Sequence, residues 1–173
     1  MTSTKRLNIV LFEPEIAQNV GAIIRTCVAV NAKLHIIEPL GFIFDSRFVT
    51  RSSANYIEYA DYQLYNDWDH FVSLNPMVKL YCATRYAKFP HSKVDFANCS
   101  DPIFILFGRE STGIPTTILK ANLERCFRIP MSEHVRSLNI ANTVGIVAYE
   151  VMRQLDYPDL SQVEIQKGTD YLE

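Results

Sequence analysis

The chain has 173 residues, 48% of them hydrophobic and 21% charged, with a formal net charge of −2. That length suffices for one domain with its own core, and the composition excludes an intrinsically disordered chain. No apolar run approaches the roughly 20 residues that span a bilayer. The opening MTSTKRLNIVLF lacks a signal-peptide layout, because its apolar part is short and reads directly as a strand. The four cysteines (Cys27, Cys82, Cys99, Cys126) are widely spaced, with no nearby His at ligand distance. Free thiols in a reducing cytoplasm are the expectation, with no metal site. All ten arginines lie before the tail at 156–173, which carries five acids against Lys167. The negative total therefore leaves room for a local basic face and for nucleic acid.

In chain order, Leu7–Phe12 (LNIVLF) reads as a first buried strand. From Asn19 the pattern turns helical, with Val20, Ile23, Ile24, Cys27 and Val28 on one face and Gln18, Ala22, Arg25 and Ala29 on another. Lys33–Ile37 (KLHII) is a second strand, and Glu38-Pro39-Leu40-Gly41 turns the chain away. Residues 42–55 read as a short helix or an ordered loop, and Tyr56–Tyr59 as a third strand. Asn66 is the expected N-cap of a helix running through Leu74, with Trp68, Phe71 and Val72 facing inward. A strand over 78–83 (VKLYCA) leads into a basic loop at 84–93. Ile103–Phe107 (IFILF) is a strand buried on both faces, followed by a helix over 115–123 and a strand over 126–129. Ile140, Val144, Val147, Val151 and Leu155 form the stripe of a long closing helix. Strands alternating with helices predict an α/β domain, a mostly parallel sheet flanked by helices, over residues 1–156, with 157–173 as an acidic tail.

Three segments hold polar and glycine residues where packing alone would not request them. They are Asn19-Val20-Gly21 with Arg25, residues 108–113 (GRESTG), and residues 129–142 (IPMSEHVRSLNIAN). A strand, a glycine loop and a helix place a ligand at the carboxyl end of a parallel sheet. A triphosphate loop is not expected, since Ile114-Pro115 follows Gly113 where Lys-Ser/Thr would be needed. The plainer reading of Asn139 and Asn142 is helix capping.

Taken together, the segments resemble the SpoU-type branch of the SPOUT methyltransferases. NVGAIIR matches the first family motif at Asn19, Gly21 and Arg25, and FGRESTG the second at Gly108, Glu110 and Gly113. IPM at 129–131 and SLN at 137–139 match the third. The opening LNIVLFEPEIAQNVGAIIR and the segment HIIEPLGF are similar to the small single-domain subfamily that methylates the wobble ribose of certain tRNAs. Arg109 departs from that group, which has Pro there.

The resemblance implies a C-terminal trefoil knot, S-adenosylmethionine as cofactor, a cytoplasmic homodimer and the anticodon stem-loop of tRNA as partner, with no metal and no membrane. It implies cofactor contacts at Ala83, Thr84, Gly108, Glu110, Gly113, Ile129, Met131, Ser137, Leu138 and Asn142. Gly108 is expected to let the ligand approach the backbone closely. Catalysis falls to Arg25 with Asn19. An arginine is a poor proton acceptor, so orientation and stabilisation of alkoxide charge is the expected role of Arg25. His134 and His91 are alternative bases, and Arg47, Arg51, Arg85, Lys88, Lys93, Arg109 and Arg136 are candidate RNA contacts. The same chemistry on ribosomal RNA, or a non-catalytic RNA-binding knot, are the alternatives.

Overall fold

The computed structural model describes residues 6–45, 47, 51, 53 and 55–172. Strands β1 (Leu7–Phe12), β2 (Lys33–Ile37), β3 (Asp61–Tyr65), β4 (Leu80–Ala83), β5 (Ile103–Phe107) and β6 (Cys126–Phe127) form one sheet in the order β3-β2-β1-β5-β4-β6. Every strand pair is parallel. All six residues of β1 are buried, as a central strand covered on both faces requires.

Helices α1 (Ala17–Ala29), α2 (Trp68–Leu74), α3 (Thr116–Ala121) and α4 (Ile140–Gln154) cover the sheet. On one face of the sheet, Val20, Ile23, Ile24 and Cys27 of α1 and Val144, Val147, Ala148 and Val151 of α4 pack against Ile9, Leu11, Ile36 and Ile105. On the other, Phe71 of α2 and Ile118 and Leu119 of α3 cover Val10, Phe12, Ile37 and Leu106. The expected stripe of the closing helix is therefore its core face, with Ile140 and the C-cap residue Leu155, at its two ends, half-buried against the same core.

Several boundaries differ from the sequence reading. Tyr56–Tyr59 is a single 3-10 turn, and the third strand begins at Asp61. The strand was concealed by its composition: β3 pairs only with β2, and an edge strand starting Asp61-Tyr62, both exposed, carries no apolar run. Asp67, not Asn66, caps α2, its Oδ1 accepting from the His70 N–H at 2.7 Å. Val72 on that helix faces solvent, at 42% exposure. Helix α1 begins at Ala17, ahead of Asn19. Strand β6 is confined to Cys126 and Phe127, β4 starts at Leu80, and α3 ends at Ala121 before a 3-10 turn at Leu123–Arg125. The reading of 42–55 as helix or loop lies largely outside the described residues.

Candidate active site

The glycine loop folds back on itself as it leaves β5. The Arg109 N–H donates to the Gly113 carbonyl at 3.2 Å, and the Gly113 N–H to the Arg109 carbonyl at 2.9 Å. Gly113 sits at φ +73, the left-handed conformation that L side chains avoid. Gly108 is required for another reason. A Cβ there would lie 2.1 Å from the Gly113 carbonyl carbon and 2.2 Å from the Ile114 nitrogen. The close approach is made by the loop's own backbone, and Gly108 borders the cleft as well. A side chain at 108 would deform the loop before it met any cofactor.

A relay of hydrogen bonds joins the three motifs. Glu110 accepts from the Glu15 N–H at 2.9 Å and the Ile16 N–H at 3.3 Å, and from Asn19 Nδ2 at 2.9 Å. Asn19 Oδ1 in turn accepts from Asn139 Nδ2 at 2.9 Å. Asn139 caps α4, its Oδ1 accepting from the N–H groups of Ala141 and Asn142. Ile16 can offer α1 no side-chain cap, so the Glu110 carboxylate supplies acceptor and negative charge at that helix N-terminus from another loop. Glu15 returns the favour, accepting from the Ser111 N–H at 2.8 Å and the Ser111 hydroxyl at 2.7 Å. Neither Glu15 nor Ser111 was a candidate from sequence, and no local pattern marks either. Arg109, where the subfamily pattern has Pro, ion-pairs with Glu13 and lies 5.8 Å from the centre of the Phe12 ring. Its charge is thus engaged within the β1–α1 loop.

These loops border a cleft of about 590 Å³ at the exits of β4, β5 and β6. Ala83, Thr84, Gly108, Glu110, Gly113, Ile129, Met131, Ser137 and Leu138 line it, as does Asn19. Asn142 does not; it lies in the first turn of α4 with its N–H on the Asn139 cap. The cleft also takes in Tyr86, Ile114 and Thr143, which the motifs did not indicate. Its size suits a nucleoside-sized ligand, and Ile114, Ile129, Met131 and Leu138 provide apolar walls beside the polar strand exits. Those residues fit the adenosyl group of the expected cofactor.

Of the basic candidates, Arg85, Arg109 and Arg136 line the cleft. Arg47 is exposed and pairs with Asp45 at 3.3 Å, while Arg51 and Lys88 are exposed elsewhere. Arg25 also lies outside the cleft, on the exposed face of α1 with Gln18, Ala22 and Ala29, its guanidinium 5.3 Å from the centre of the Tyr56 ring. His134 is exposed in the loop before α4, and His91 is half-buried.

Cys82 and Cys126, adjacent on paired strands, end just short of the cleft. Burial, reinforced by the neighbouring Cys126, pushes the Cys82 thiol up to about 12, so it stays protonated and is no nucleophile. Among the described residues, no group of His, Cys, Asp and Glu could hold a metal ion. No helix there is long and apolar enough to cross a membrane.

Residues 6–149 match the SpoU rRNA Methylase family. The chain is 44% identical over 155 residues to a Geobacillus stearothermophilus protein provisionally named a tRNA (cytidine(34)-2'-O)-methyltransferase, covering 90% of this chain and 99% of that one. It is 40% identical over 153 residues to the tRNA (cytidine(34)-2'-O)-methyltransferase of Escherichia coli K12, covering 88% and 96%. A solved structure described as giving insight into 2'-OH methylation of C/U34 on tRNA superposes with a TM-score of 0.80 at 33% identity, over 87% of this chain and 96% of that one. An AdoMet-bound rRNA methyltransferase from Sinorhizobium meliloti shares the fold, with a TM-score of 0.77 at 22% identity over 87% and 57%. With the three motifs joined by one relay beside one cleft, this chain belongs to the SpoU RNA methylase family.

Proposed function

We propose that this protein methylates the ribose 2'-hydroxyl of the wobble nucleotide of tRNA, using S-adenosylmethionine. The observation that carries the reading is the relay Glu110–Asn19–Asn139, which holds the first helix, the glycine loop and the closing helix around one cleft. The 40% identical E. coli relative, matched over 96% of its length, supports tRNA position 34 over a ribosomal target.

S-adenosylmethionine supplies a methyl group activated on a sulfonium. The chain's task is then to bind, align and manage charge. Ile129, Met131 and Leu138 wall the apolar part of the cleft, and Ala83, Thr84, Gly108 and Ser137 offer polar backbone and side-chain groups around it. Glu110 and Asn19 act as braces, because their carboxylate and amide are committed to neighbouring groups. Arg25, permanently charged, orients the RNA and stabilises the alkoxide that forms at the 2'-oxygen.

Arg25 stands outside its own cleft, which supports a homodimer in which one protomer completes the other's site. Exposed Ile146 and Tyr149 on α4 and Ile16 before α1 offer apolar surface for that contact. A trefoil threading of the segment after β6 is part of the same reading. Thr84 N–H on the Phe127 carbonyl, Arg128 N–H on the Phe89 carbonyl and His91 N–H on the Arg128 carbonyl support it, since they bind loop 84–93 across the chain leaving β6. Residues 1–156 would form this single domain and 157–173 an acidic tail. Four cysteines held as thiols rather than disulfides support a reducing, cytoplasmic setting.

The test is incubation with methyl-labelled S-adenosylmethionine and total RNA, followed by nuclease mapping. Label on the 2'-oxygen of tRNA nucleotide 34 is expected; label confined to ribosomal RNA, or none, sinks the reading. Light scattering at micromolar concentration should give a dimer, and a fully active monomer would remove the shared site.

A further inference from the structure

Residues 84–93 (TRYAKFPHSK) contain no acid, and carry Arg85, Lys88 and Lys93 interleaved with Tyr86 and Phe89. The backbone of this loop is anchored. Ala87 is buried in the core, and its N–H donates to the Thr84 carbonyl at 3.3 Å. The Tyr86 N–H donates to Thr84 Oγ1 at 3.4 Å, and the Arg128 N–H to the Phe89 carbonyl at 2.9 Å. Yet Tyr86 is 71% exposed and Phe89 59%. A fixed backbone that presents rings to water gives them no packing role in this chain.

Tyr86 differs from Phe89 in its surroundings. It lines the large cleft together with Arg85 and Arg136, whereas Phe89 borders a separate cavity of about 320 Å³. The Arg85 guanidinium lies 4.9 Å from the centre of the Tyr86 ring, and its Nη2 donates to the Tyr86 hydroxyl at 3.1 Å. The cation thus holds the ring by one face and leaves the other to solvent.

We infer that Tyr86 is a stacking platform for one unpaired nucleobase of the RNA substrate, with Arg85 fixing the ring from behind. The inference rests on the reading of this chain as an RNA 2'-O-methyltransferase. Phosphate attraction alone would need only the lysines and arginines. An aromatic face at the cleft adds what a single-stranded RNA loop offers, splayed bases whose π-faces stack on tyrosine whatever their identity. The guanidinium adds cation–π attraction to the stack.

The probe is an anticodon stem-loop carrying 2-aminopurine on either side of nucleotide 34, titrated into wild type, Tyr86→Phe, Tyr86→Leu and Phe89→Leu. Stacking quenches the fluorophore, so quenching is expected with wild type and Tyr86→Phe. Tyr86→Leu should lose it and bind the RNA about tenfold more weakly, within the range for one lost base stack. Cofactor affinity is measured on the same variants by calorimetry. Quenching retained in Tyr86→Leu overturns the inference, as does equal loss in Phe89→Leu. Cofactor affinity falling in step with RNA affinity would also overturn it, by moving Tyr86 into the cofactor site. A wild-type protein that methylates tRNA but never quenches the probe defeats the stacking alone. One that neither binds the stem-loop nor methylates it defeats the underlying reading as well.

Discussion

Two polar networks cross this apolar sheet, one sealed inside it and one at its carboxyl edge. In the sealed network, His35 of β2 has Nδ1 2.7 Å from the Tyr65 hydroxyl and Nε2 3.1 Å from Asn8 Oδ1, on the neighbouring strands. Asn8 Oδ1 can only accept, so the proton sits on Nε2 and Nδ1 accepts from the Tyr65 hydroxyl. All three residues are under 5% exposed, and the rings of Phe71 and Phe104 close over the imidazole. Burial, helped by the charge of Lys33, holds the His35 pKa down at about 3. The edge network, Glu110–Asn19–Asn139, grades from buried Asn19 to exposed Asn139 and borders the cleft. A closed network contributes a unique strand register and no chemistry. An open one can position groups for a ligand, because water or substrate can take up the bonds it leaves.

If chemistry belongs to the open edge, the largest effect should come from Arg25. Arg25→Ala should slow single-turnover methylation about 10²–10³-fold, as for loss of one transition-state donor, with far smaller changes in tRNA and cofactor affinity. Arg25→Lys should rescue only part, since a point charge lacks the planar fork of donors. A loss of tRNA affinity in proportion to rate would make Arg25 a phosphate anchor and move the chemistry elsewhere.

The sealed network should reveal itself through pH. Unfolded His35 binds a proton near its ordinary pKa of 6.5, whereas the folded protein refuses it until about 3. Unfolding below pH 6.5 therefore takes up a proton, and stability falls with acid through that window. The slope should approach about 1.4 kcal/mol per pH unit, or roughly 2 kcal/mol between pH 6.5 and 5. Urea midpoints measure this, and His35→Gln should flatten the slope; an unchanged slope would acquit His35.

A matched pair sharpens the contrast. Tyr65→Phe leaves the His35 Nδ1 acceptor buried and unpaired, which should cost about 1–3 kcal/mol of stability and leave methylation at permissive temperature near wild type. Asn19→Ala should cost only about 1 kcal/mol of stability, because water can reach Glu110 and Asn139. It should weaken cofactor binding about tenfold as the loop loosens, equivalent to about 1.4 kcal/mol. Parallel outcomes in the two variants would erase the distinction. An effect of the same order is expected of Gly113→Ala, where forcing a Cβ into φ +73 should cost about 1–2 kcal/mol in thermal unfolding.

Much of this molecule was legible in the chain itself. Buried parallel strands carry continuous apolar runs, and LNIVLF, KLHII and IFILF announce three of them without any partner being known. The stripes of α1 and α4 follow from helical periodicity, and the family from three ordered motifs. The edge strand β3 was not legible, because a strand paired on one side needs no apolar run. Nor were the pairings that make the site. Asn19 meets Glu110 across 91 residues of sequence and Asn139 across 120, and Ser111 finds Glu15 across 96. Periodicity reports only which face of an element is buried, and it is silent on polar partners this far apart. The demand for glycine at position 108 is of the same kind. It is set by the backbone of Gly113 and Ile114 folding back to 2.1 and 2.2 Å from where a Cβ would stand, far inside van der Waals contact, a geometry that exists only once the loop has closed.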